Sequence, residues 1–545
     1  MLNTFNFLIG LRKKIKLVIK HEKKLISIKI IMLKMKIFEN FTKKQIDKLK
    51  KDTSNFYIGS PEAEAENTLN SIIQLDDVFE DYLDVIYKLQ SEKFIISGRK
   101  GCGKSAIAER IYSISRDDSK YFCDFIKKGD IDIEKITQIS NIKDSFINQE
   151  LIIEWILLIK LVNQLVSNEA ISNQKGIQDL KIFLKKNSGF VDIKSHQIEE
   201  ILQSNGWEIS VDYFKRFLSA KFGNRFDIKS GKAPFYKLLP HLKATIKDLF
   251  INTLNRDNFY ILIFDDLDIG FNSKDENNVK TLLNIIRIVK EYNISFFGKE
   301  GINAKVILLL RDDISRVLIN KDADTAKLFS SYEIPLNWYN HNGIYKNEEE
   351  LSIKKFINKR IKHNFEKNEF DYDTNKPWDS LIDSDPSYSH SSFKYIIDHT
   401  LIRPRDLILF FKPLSELKFQ IPLSKFDVNT LIGKYSIEFV KELKNELTAH
   451  YSSKQIDCIF EVLYNCTNED VTFGFVEQEL KNNGFNESPI QLMELLYDLS
   501  IIGNLSLAGK TYFKHWEKDD EVFRFNKFDK IILHFSLRIY CSKRR

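Results

Sequence analysis

Short apolar runs separated by helical patterns divide the first two-thirds of the chain. Residues 94–97, 120–126, 259–264 and 304–310 are runs of this kind, and they are typical of strands buried on both faces of a parallel sheet. Between the runs, apolar residues recur at helical spacing, as they do over 277–292. This alternation of strands and helices predicts an α/β fold built on a parallel sheet.

Two further stretches have a helical rather than a strand pattern. Residues 69–90, just before the first predicted strand, carry a strongly periodic apolar pattern that predicts one helix. From about residue 127 to 250 the pattern is long and helical, and it separates the second predicted strand from the third by far more residues than a compact domain needs. We interpret 127–250 as a helical insertion.

The first predicted strand leads into the sequence GRKGCGKS, residues 98–105. It matches G-x-x-x-x-G-K-[ST], in which backbone N–H groups surround phosphate oxygens and the following helix N-terminus adds partial positive charge. Glycine lets the backbone approach phosphate without an intervening Cβ, and three of the chain's 20 glycines lie here. Lys104 is expected to reach the β- and γ-phosphates, and the Ser105 hydroxyl to ligate Mg²⁺.

An ordinary tight turn with a coincidental Lys-Ser pair is the alternative interpretation of this loop. The strand before it and the helix after it are the context that the phosphate-binding motif requires, so we favour the motif. The predicted nucleotide-binding residues are Gly98, Arg99, Lys100, Gly101, Cys102, Gly103, Lys104, Ser105 and Ala106.

Two carboxylates follow the third predicted strand directly. Ligands of open α/β sheets collect at the carboxyl ends of strands, and Asp265 there would hold Mg²⁺ through water. Asp266 stands where a general base or a water-positioning carboxylate is needed. Asp268 is the alternative base, or caps the next turn. A buried strand that merely ends in a polar turn is the other interpretation, and the phosphate loop argues against it.

The fourth predicted strand ends on Arg311. A cation at this end of the sheet is placed to sense the γ-phosphate of a bound nucleotide and to couple hydrolysis to a change of shape. Pairing with Asp312 or Asp313 at the surface is the alternative.

A second candidate arginine lies in LIRPRDLILFF, residues 401–411. Its proline suits the first turn of a helix, which places Arg405 in that turn, and in a helical lid over the nucleotide this arginine would contact phosphate. Arg403 is the alternative lid arginine, and a surface Arg–Asp pair is the alternative role. The predicted catalytic residues are Lys104, Asp266, Arg311 and Arg405.

Positive charge is concentrated at the N-terminus. The first 37 residues hold ten Lys or Arg and one Glu, a net +9, whereas the whole chain is +6, so the remainder is −3. The charge therefore does not support nucleic-acid binding by the rest of the chain. We interpret residues 1–54 as a basic N-terminal segment whose first part lies upstream of a true start at Met32 or Met35, with an amphipathic surface anchor as the alternative.

Other sequence features bound the location of the protein. No apolar run in the N-terminal segment approaches the roughly 20 residues that a membrane span needs. The five cysteines form no C-x-x-C pair, which excludes a disulfide framework and a zinc site and fits a reducing cytoplasm.

Several motifs together carry a family resemblance. GRKGCGKS, ILIFDDLD, VILLLRDD and IRPRDLI, with the C-terminal ELLYDLSIIGN and ILHFSLR, resemble the STAND and origin-recognition branch of AAA+-like ATPases, in particular bacterial P-loop ATPases of which some are encoded near phage-defence genes. The resemblance covers about residues 55–540. It implies an ATPase core over 55–340 that contains the insertion, a helical lid over 341–440 and a winged-helix-like domain over 441–545.

The resemblance also implies an activity, namely Mg²⁺-dependent ATP hydrolysis that drives a conformational or assembly switch in bacterial phage defence, through self-association or a partner protein. Many ATPases of this branch carry Glu where this chain has Asp266, so slow hydrolysis is expected. A GTPase-like N-K-x-D match at 526–529 lies beyond the presumed lid, and we expect ATP. A non-enzymatic scaffold that keeps nucleotide for structure is an alternative.

The second alternative is a DNA-binding ATPase of the origin-recognition or loader type. The predicted recognition helix, within residues 488–503, contains Glu494 and Asp498 but no Lys or Arg. Because contacts to DNA phosphates need cations, a protein-contact or autoinhibitory role for this domain is the preferred prediction.

Overall fold

A parallel sheet of five strands lies at the centre of the part of the chain that the structure describes. The computed structural model describes residues 51–127, 148–187, 208–210, 232–252, 257–267, 271–339, 347–467, 471–516 and 524–544. Most of the basic N-terminal segment, and Asp268, lie outside these ranges. The strands are β1 (Ile95–Ser97), β2 (Tyr121–Ile126), β3 (Glu208–Ser210), β4 (Lys232–Pro234), β5 (Phe259–Phe264), β6 (Ala304–Leu310), β7 (Glu333–Pro335), β8 (Ile502–Leu505), β9 (Thr511–Tyr512) and β10 (Lys530–Leu533).

The central sheet has the strand order β2-β5-β6-β1-β7, and every neighbouring pair is parallel. The predicted α/β class is therefore confirmed, and β5 coincides with the predicted apolar run. The sequence pattern missed β7, because a three-residue strand shows no periodicity. The order also places the end of β6 between the ends of β1 and β5, and all three ends lie on one edge of the sheet.

The helices surround this sheet and continue beyond it. In chain order they are α1 (Ala63–Glu66), α2 (Leu75–Val78), α3 (Val85–Lys88), α4 (Lys104–Asp117), α5 (Gln149–Ser167), α6 (Lys175–Lys186), α7 (Phe235–Asn252), α8 (Glu276–Glu291), α9 (Asp312–Lys321), α10 (Ala323–Tyr332), α11 (Ser352–Lys367), α12 (Pro377–Leu381), α13 (Ser392–Ile397), α14 (Pro404–Phe411), α15 (Leu414–Leu417), α16 (Lys425–Leu447), α17 (Ser453–Asn465), α18 (Phe473–Asn482), α19 (Pro489–Asp498) and α20 (Phe535–Arg544).

Alternate residues of the central strands face two separate cores. In β5, Ile261 and Ile263 pack into the core that contains α4 and the C-terminal helices, whereas Leu262 and Phe264 pack into the core that contains α5, α7 and α8. Both faces of the sheet are therefore covered by helices, which explains why β5 is apolar along its whole length and β6 from Val306 to Leu310.

The predicted helical insertion supplies much of the second core. Helix α5 packs against α7 and α8, and its Trp155 is fully buried. The Gln164 side chain of α5 donates a hydrogen bond to the Ile261 carbonyl over 2.7 Å, which fixes α5 to β5. None of the described helices combines the length and the apolarity needed to cross a bilayer.

The single helix predicted over residues 69–90 is wrong. The segment forms α2, a 3₁₀ turn at Tyr82–Asp84 and α3. The helix is interrupted because Phe79 is extended and Asp84 has a left-handed backbone with φ of 51°. These breaks let Tyr82 stack on Trp338, with ring centroids 4.3 Å apart, so the apolar residues pack against two different surfaces rather than one.

The C-terminal third of the chain forms two units, first a group of helices and then a domain of helices with a small antiparallel sheet. Helices α11–α16, hereafter the lid, pack beside the phosphate loop. After the lid come α17, α18 and α19, followed by an antiparallel sheet with the order β10-β8-β9 and then α20. Three helices followed by a small antiparallel sheet agree with the predicted winged-helix-like domain.

A buried ion pair fastens the lid to the segment that precedes the core. The Arg360 guanidinium of α11 donates two hydrogen bonds of 2.7 Å to the Glu66 carboxylate and one of 2.8 Å to the Ile58 carbonyl. The chain passes over this pair at Gly59, where a Cβ would lie 2.0 Å from Arg360 Nη1. Only glycine therefore fits at this point.

We expect Arg360→Met to lower the stability of this region by about 3–5 kcal/mol, because it leaves the Glu66 carboxylate buried without its cation. Arg287→Met is the matched control. It removes an exposed ion pair with Asp322, and exposed pairs contribute little. Calorimetric unfolding of both variants provides the comparison, and equal losses would contradict the assigned role of the buried pair.

Candidate nucleotide-binding site

The loop at residues 98–105 joins β1 directly to α4. Gly101 and Gly103 have φ values of 83° and 99°, in the left-handed region that favours glycine. A Cβ on Gly101 would also lie 2.8 Å from the Cβ of Arg405. Helix α4 begins at Lys104, so the free N–H groups at its N-terminus point toward the concave side of the loop.

Lys104 reaches across the inside of this loop. Its Nζ donates hydrogen bonds to the Gly98 carbonyl over 2.7 Å and to the Arg99 carbonyl over 3.2 Å. Cys102 is buried, and its carbonyl accepts a hydrogen bond of 2.8 Å from the Trp338 indole. The loop thus has its motif lysine in place, and the cysteine thiol faces the protein interior rather than solvent.

A cavity of about 400 Å³ lies above the loop and extends between the core and the lid. Its loop side is formed by residues 100–107, and its far side by apolar residues from α2, α11 and α14. Charged side chains also line it, namely Glu62, Glu64, Glu66, Glu80 and Arg360. A polar end beside an apolar end suits a ligand that carries phosphates on an aromatic base. The apolar side is lined by Pro61, Leu75, Val78, Phe79, Tyr82, Leu336, Trp338, Phe356, Pro404 and Ile408.

Asp265 and Ser105, the predicted metal ligands, lie together at the loop end of the cavity. Burial raises the pKa of Asp265 above its usual value, and hydrogen bonds from the Asp266 N–H and the Ser105 hydroxyl and the charge of Lys104 offset this rise only in part. Among the described residues, no group of three His, Cys, Asp or Glu side chains forms a metal site on its own. Mg²⁺ commonly takes one or two protein ligands together with phosphate oxygens, and this pair fits that arrangement.

Asp266 lines the same cavity in an unusual backbone conformation. Its φ is 61°, a left-handed value that Asp tolerates better than most residues. The Asp266 N–H donates to Asp265 Oδ1 over 2.9 Å. This turn holds the two carboxylates beside each other at the end of β5. The alternative base, Asp268, is outside the described residues.

Arg311 lines the cavity and is also paired with a carboxylate. Its Nε and Nη2 donate to the two Asp313 oxygens over 3.0 and 2.7 Å. The pairing with Asp313 that the sequence raised as an alternative is thus present, except that the pair is buried rather than at the surface. Burial would raise the pKa of Asp313, but hydrogen bonding to His450 and the charge of Arg311 outweigh it and lower the pKa.

The two candidate lid arginines have different surroundings. Arg405 lines the cavity, its N–H donates to the Gly101 carbonyl over 3.3 Å, and its Nη2 donates to Glu442 over 3.2 Å. Arg403 is buried behind the loop, where its Nη1 donates to the Lys100 carbonyl over 2.7 Å. Of these two arginines, Arg405 is therefore the one that lines the cavity. Arg99, although it belongs to the loop, points away from the cavity to Glu446.

The apolar wall of the cavity was not predicted from the sequence. Its residues come from the segment before β1, from the chain after β7 and from two lid helices, so they share no local pattern. The stacked rings of Tyr82 and Trp338 are its most distinctive feature. The only sequence signal was the apolar periodicity over 69–90, which we had assigned to a continuous helix.

The chain is similar to known proteins in two comparisons. One family model, the FunZ-associated C-terminal helical domain, matches residues 351–444. This range begins just before α11 and ends near the end of α16, so the match covers the lid. A search of curated protein sequences gave no match.

Among solved structures, the chain is similar to the crystal structure of Cdc6p from Pyrobaculum aerophilum. The sequence identity is 13%, and the alignment covers 88% of this chain and 97% of that one, with a TM-score of 0.25.

Proposed function

We propose that this protein binds ATP with Mg²⁺ at the 98–105 loop, hydrolyses it slowly, and uses the bound nucleotide to control its conformation and assembly. One observation carries the proposal. A single cavity collects a motif lysine, a hydroxyl and a carboxylate suited to Mg²⁺, a second carboxylate and an arginine from the ends of three neighbouring strands. Phosphoryl transfer needs these groups to position the phosphates and to stabilise the charge that develops on them.

Each residue has a defined part in the proposed reaction. Bound Mg²⁺ would supply charge neutralisation at the phosphate oxygens. Ser105 and Asp265 would hold that ion, and Asp266 would orient the attacking water and accept its proton. Lys104 would exchange the Gly98 and Arg99 carbonyls for phosphate oxygens. The apolar wall would cover the base.

A switch is the favoured use of this nucleotide. Arg311 lies in the cavity and is at the same time held by Asp313, so a γ-phosphate would compete with a protein carboxylate for it. The recognition-helix candidate α19 is turned toward the core, since Asp498 lies 3.1 Å from Arg316 of α9. The family resemblance adds bacterial phage defence as the biological setting, and the neighbourhood of the gene would test that part.

Lys104→Ala should abolish tight binding of Mg²⁺–ATP, because Lys104 is the loop cation placed to face the β- and γ-phosphates. Asp266→Asn should keep binding and reduce turnover by about 10²–10⁴-fold, since Asp265 remains to hold the metal. Calorimetric titration and phosphate release measure the two effects, with the exposed Lys120→Ala as control. Affinity within a few-fold of wild type in Lys104→Ala would exclude the loop as the site, and normal turnover in Asp266→Asn would assign the base to Asp268.

Arg311→Ala should lower the affinity for ATP and leave the affinity for ADP nearly unchanged. The lost contact is to the γ-phosphate, so we expect near-normal ADP affinity and an ATP affinity lower by about 1.5–3 kcal/mol, or about one to two decades. ATP-dependent assembly, followed by size-exclusion chromatography with a non-hydrolysable analogue, should be lost as well. Equal weakening of both nucleotides would show that Arg311 supports the fold or the shared phosphates.

A second candidate function rests on the tip of the C-terminal antiparallel sheet. Leu507 and Phe528 are 95% and 84% exposed there, and Lys527 Nζ lies 5.3 Å from the Phe528 ring centroid. Lys510 is exposed at the same tip. Cations beside an exposed aromatic ring suit a nucleic-acid strand, which favours DNA binding by this tip as the alternative activity.

If the tip binds DNA, affinity should fall steeply as salt rises, and Lys510→Glu with Lys527→Glu should weaken it further. Fluorescence anisotropy with a labelled duplex and a labelled single strand tests both forms of DNA. Lys120→Glu changes the net charge as much as either tip substitution does, so it is the control for each of the two made singly. Absence of binding at low salt would eliminate this function and leave the switch.

A further inference from the structure

The end of α16 contacts two parts of the nucleotide site that are far apart in sequence. Glu446, in the last turn of α16, accepts hydrogen bonds of 3.0 and 2.8 Å from Arg99 of the phosphate loop. Four residues later, His450 Nε2 lies 3.5 Å from Asp313 Oδ2, and Asp313 is the carboxylate that holds Arg311. Residues 446–450 therefore contact both Arg99 of the phosphate loop and Asp313, the carboxylate that holds Arg311.

The first contact belongs to a closed cluster of four charges. Arg403 donates to Glu446 Oε1 over 2.6 Å, to both Asp406 oxygens over 2.9 and 2.8 Å, and to the Lys100 carbonyl over 2.7 Å. Arg99 completes the cluster through Glu446. Two cations thus meet two carboxylates behind the loop, and the side chains of all but Arg99 are at most 3% exposed.

Electrostatics keeps this cluster charged. Burial would raise the pKa of Glu446, but the charges of Arg99 and Arg403 outweigh it and lower the pKa. Arg311 acts on Glu446 in the same direction, which brings the γ-phosphate candidate within electrostatic range of the cluster. Removing one member leaves the remaining charges buried and uncompensated. The four ion-paired side chains therefore keep or lose their arrangement behind the loop together.

The second contact places His450 beside Asp313 Oδ2, the same oxygen to which Arg311 Nη2 donates. His450 Nδ1 lies 3.3 Å from the Ser273 hydroxyl, so its ring is held between Ser273 and Asp313. If Arg311 moved to a phosphate, Asp313 would remain buried, with the His450 ring 3.5 Å away as a neighbour that can donate a hydrogen bond to it. An uncompensated buried carboxylate is costly, and His450 therefore reduces the cost of that movement.

The segment continues directly into the C-terminal domain. Tyr451 lies under Lys274, whose Nζ is 4.8 Å from the ring centroid, and Lys274 also donates to both Glu487 oxygens over 2.7 Å. Helix α17 starts at Ser453. A displacement of residues 446–451 would thus be passed to the domain that follows.

We propose that Glu446 and His450 are positioning residues, Glu446 for the phosphate loop and His450 for the Arg311–Asp313 pair, and that residues 446–451 transmit the nucleotide state to the C-terminal domain. This inference rests on the proposed binding of nucleotide at the loop. If the inference holds, Glu446 affects the affinity for any nucleotide, whereas His450 affects the affinity for the triphosphate alone. The reason is that only a γ-phosphate draws Arg311 away from Asp313.

The first test compares ADP and ATPγS binding by calorimetry in His450→Ala. Without His450, moving Arg311 leaves Asp313 uncompensated, so ATPγS affinity should fall by about fivefold or more while ADP affinity stays unchanged. His450→Gln, whose side-chain amide can donate to Asp313, should restore part of the loss. Lys274→Ala is the control, because it loosens the same domain contact without touching Asp313 and should leave the ratio of the two affinities unchanged.

An unchanged ratio in His450→Ala would overturn the role of His450, and an equal change in Lys274→Ala would show that domain contact in general sets the ratio. If wild type binds neither nucleotide, or if Lys104→Ala binds both as tightly as wild type, the proposed function fails first. If Lys104→Ala loses binding while His450→Ala keeps the ratio, this inference alone fails.

The second test is a double-mutant cycle between Arg99→Met and Glu446→Gln, read out as ADP affinity and as unfolding temperature. Each single variant leaves a buried charge uncompensated and should weaken ADP and ATPγS by the same factor. The double variant restores the charge balance, so its loss should be clearly smaller than the product of the single losses. Losses that multiply would show that Arg99 and Glu446 act independently. If either single variant fails to fold, the His450 comparison still decides the proposal.

Discussion

Buried charges must be compensated, and at the back of the phosphate loop this constraint ties three parts of the molecule together. Arg99 belongs to the loop, Arg403 and Asp406 to the start of α14, and Glu446 to the end of α16. A buried cluster of this kind gains little stability over a well-packed apolar one. Its consequence is geometric, because the loop, the lid and the approach to the C-terminal domain have one arrangement in which all four charges are paired.

The strand order determines what the loop can work with. Because β6 lies between β1 and β5, the arginine at its end lies between the phosphate loop and the carboxylate that we propose to hold Mg²⁺. A sheet with β5 directly beside β1 would leave no place for a cation at that point. The helical insertion after β2 does not disturb this arrangement, since α5 and α7 pack on the face of the sheet opposite to the lid.

The elements that were predicted correctly are those whose sequence signal lies within one short stretch of the chain. The strand at 259–264 was predicted to the residue, because an uninterrupted apolar run ends abruptly at two aspartates. The loop was recognised because its glycines and its lysine lie within residues 98–104. The helix at 69–90 was mispredicted because its apolar residues face two surfaces, which periodicity alone does not reveal. Arg99 and Glu446 are 347 positions apart, and no pattern in a single sequence links them. The choice between Arg403 and Arg405 likewise depends on which side of α14 meets the loop, and that is a tertiary property.

Two of the cations expected to contact the phosphates, Lys104 and Arg311, are bound to very different partners within the protein. Lys104 is held by two loop carbonyls, which are neutral and belong to a backbone that the phosphates would approach in any case. Arg311 is held by an ionised carboxylate in a buried site. Exchanging neutral acceptors for phosphate costs less free energy than breaking a buried ion pair. Lys104 would therefore bind the phosphates of any nucleotide. Arg311 would move to a γ-phosphate only if another group then stabilised the Asp313 carboxylate. The discrimination between ATP and ADP in such a site is therefore set less by the arginine than by whatever stabilises Asp313 after the arginine has left it.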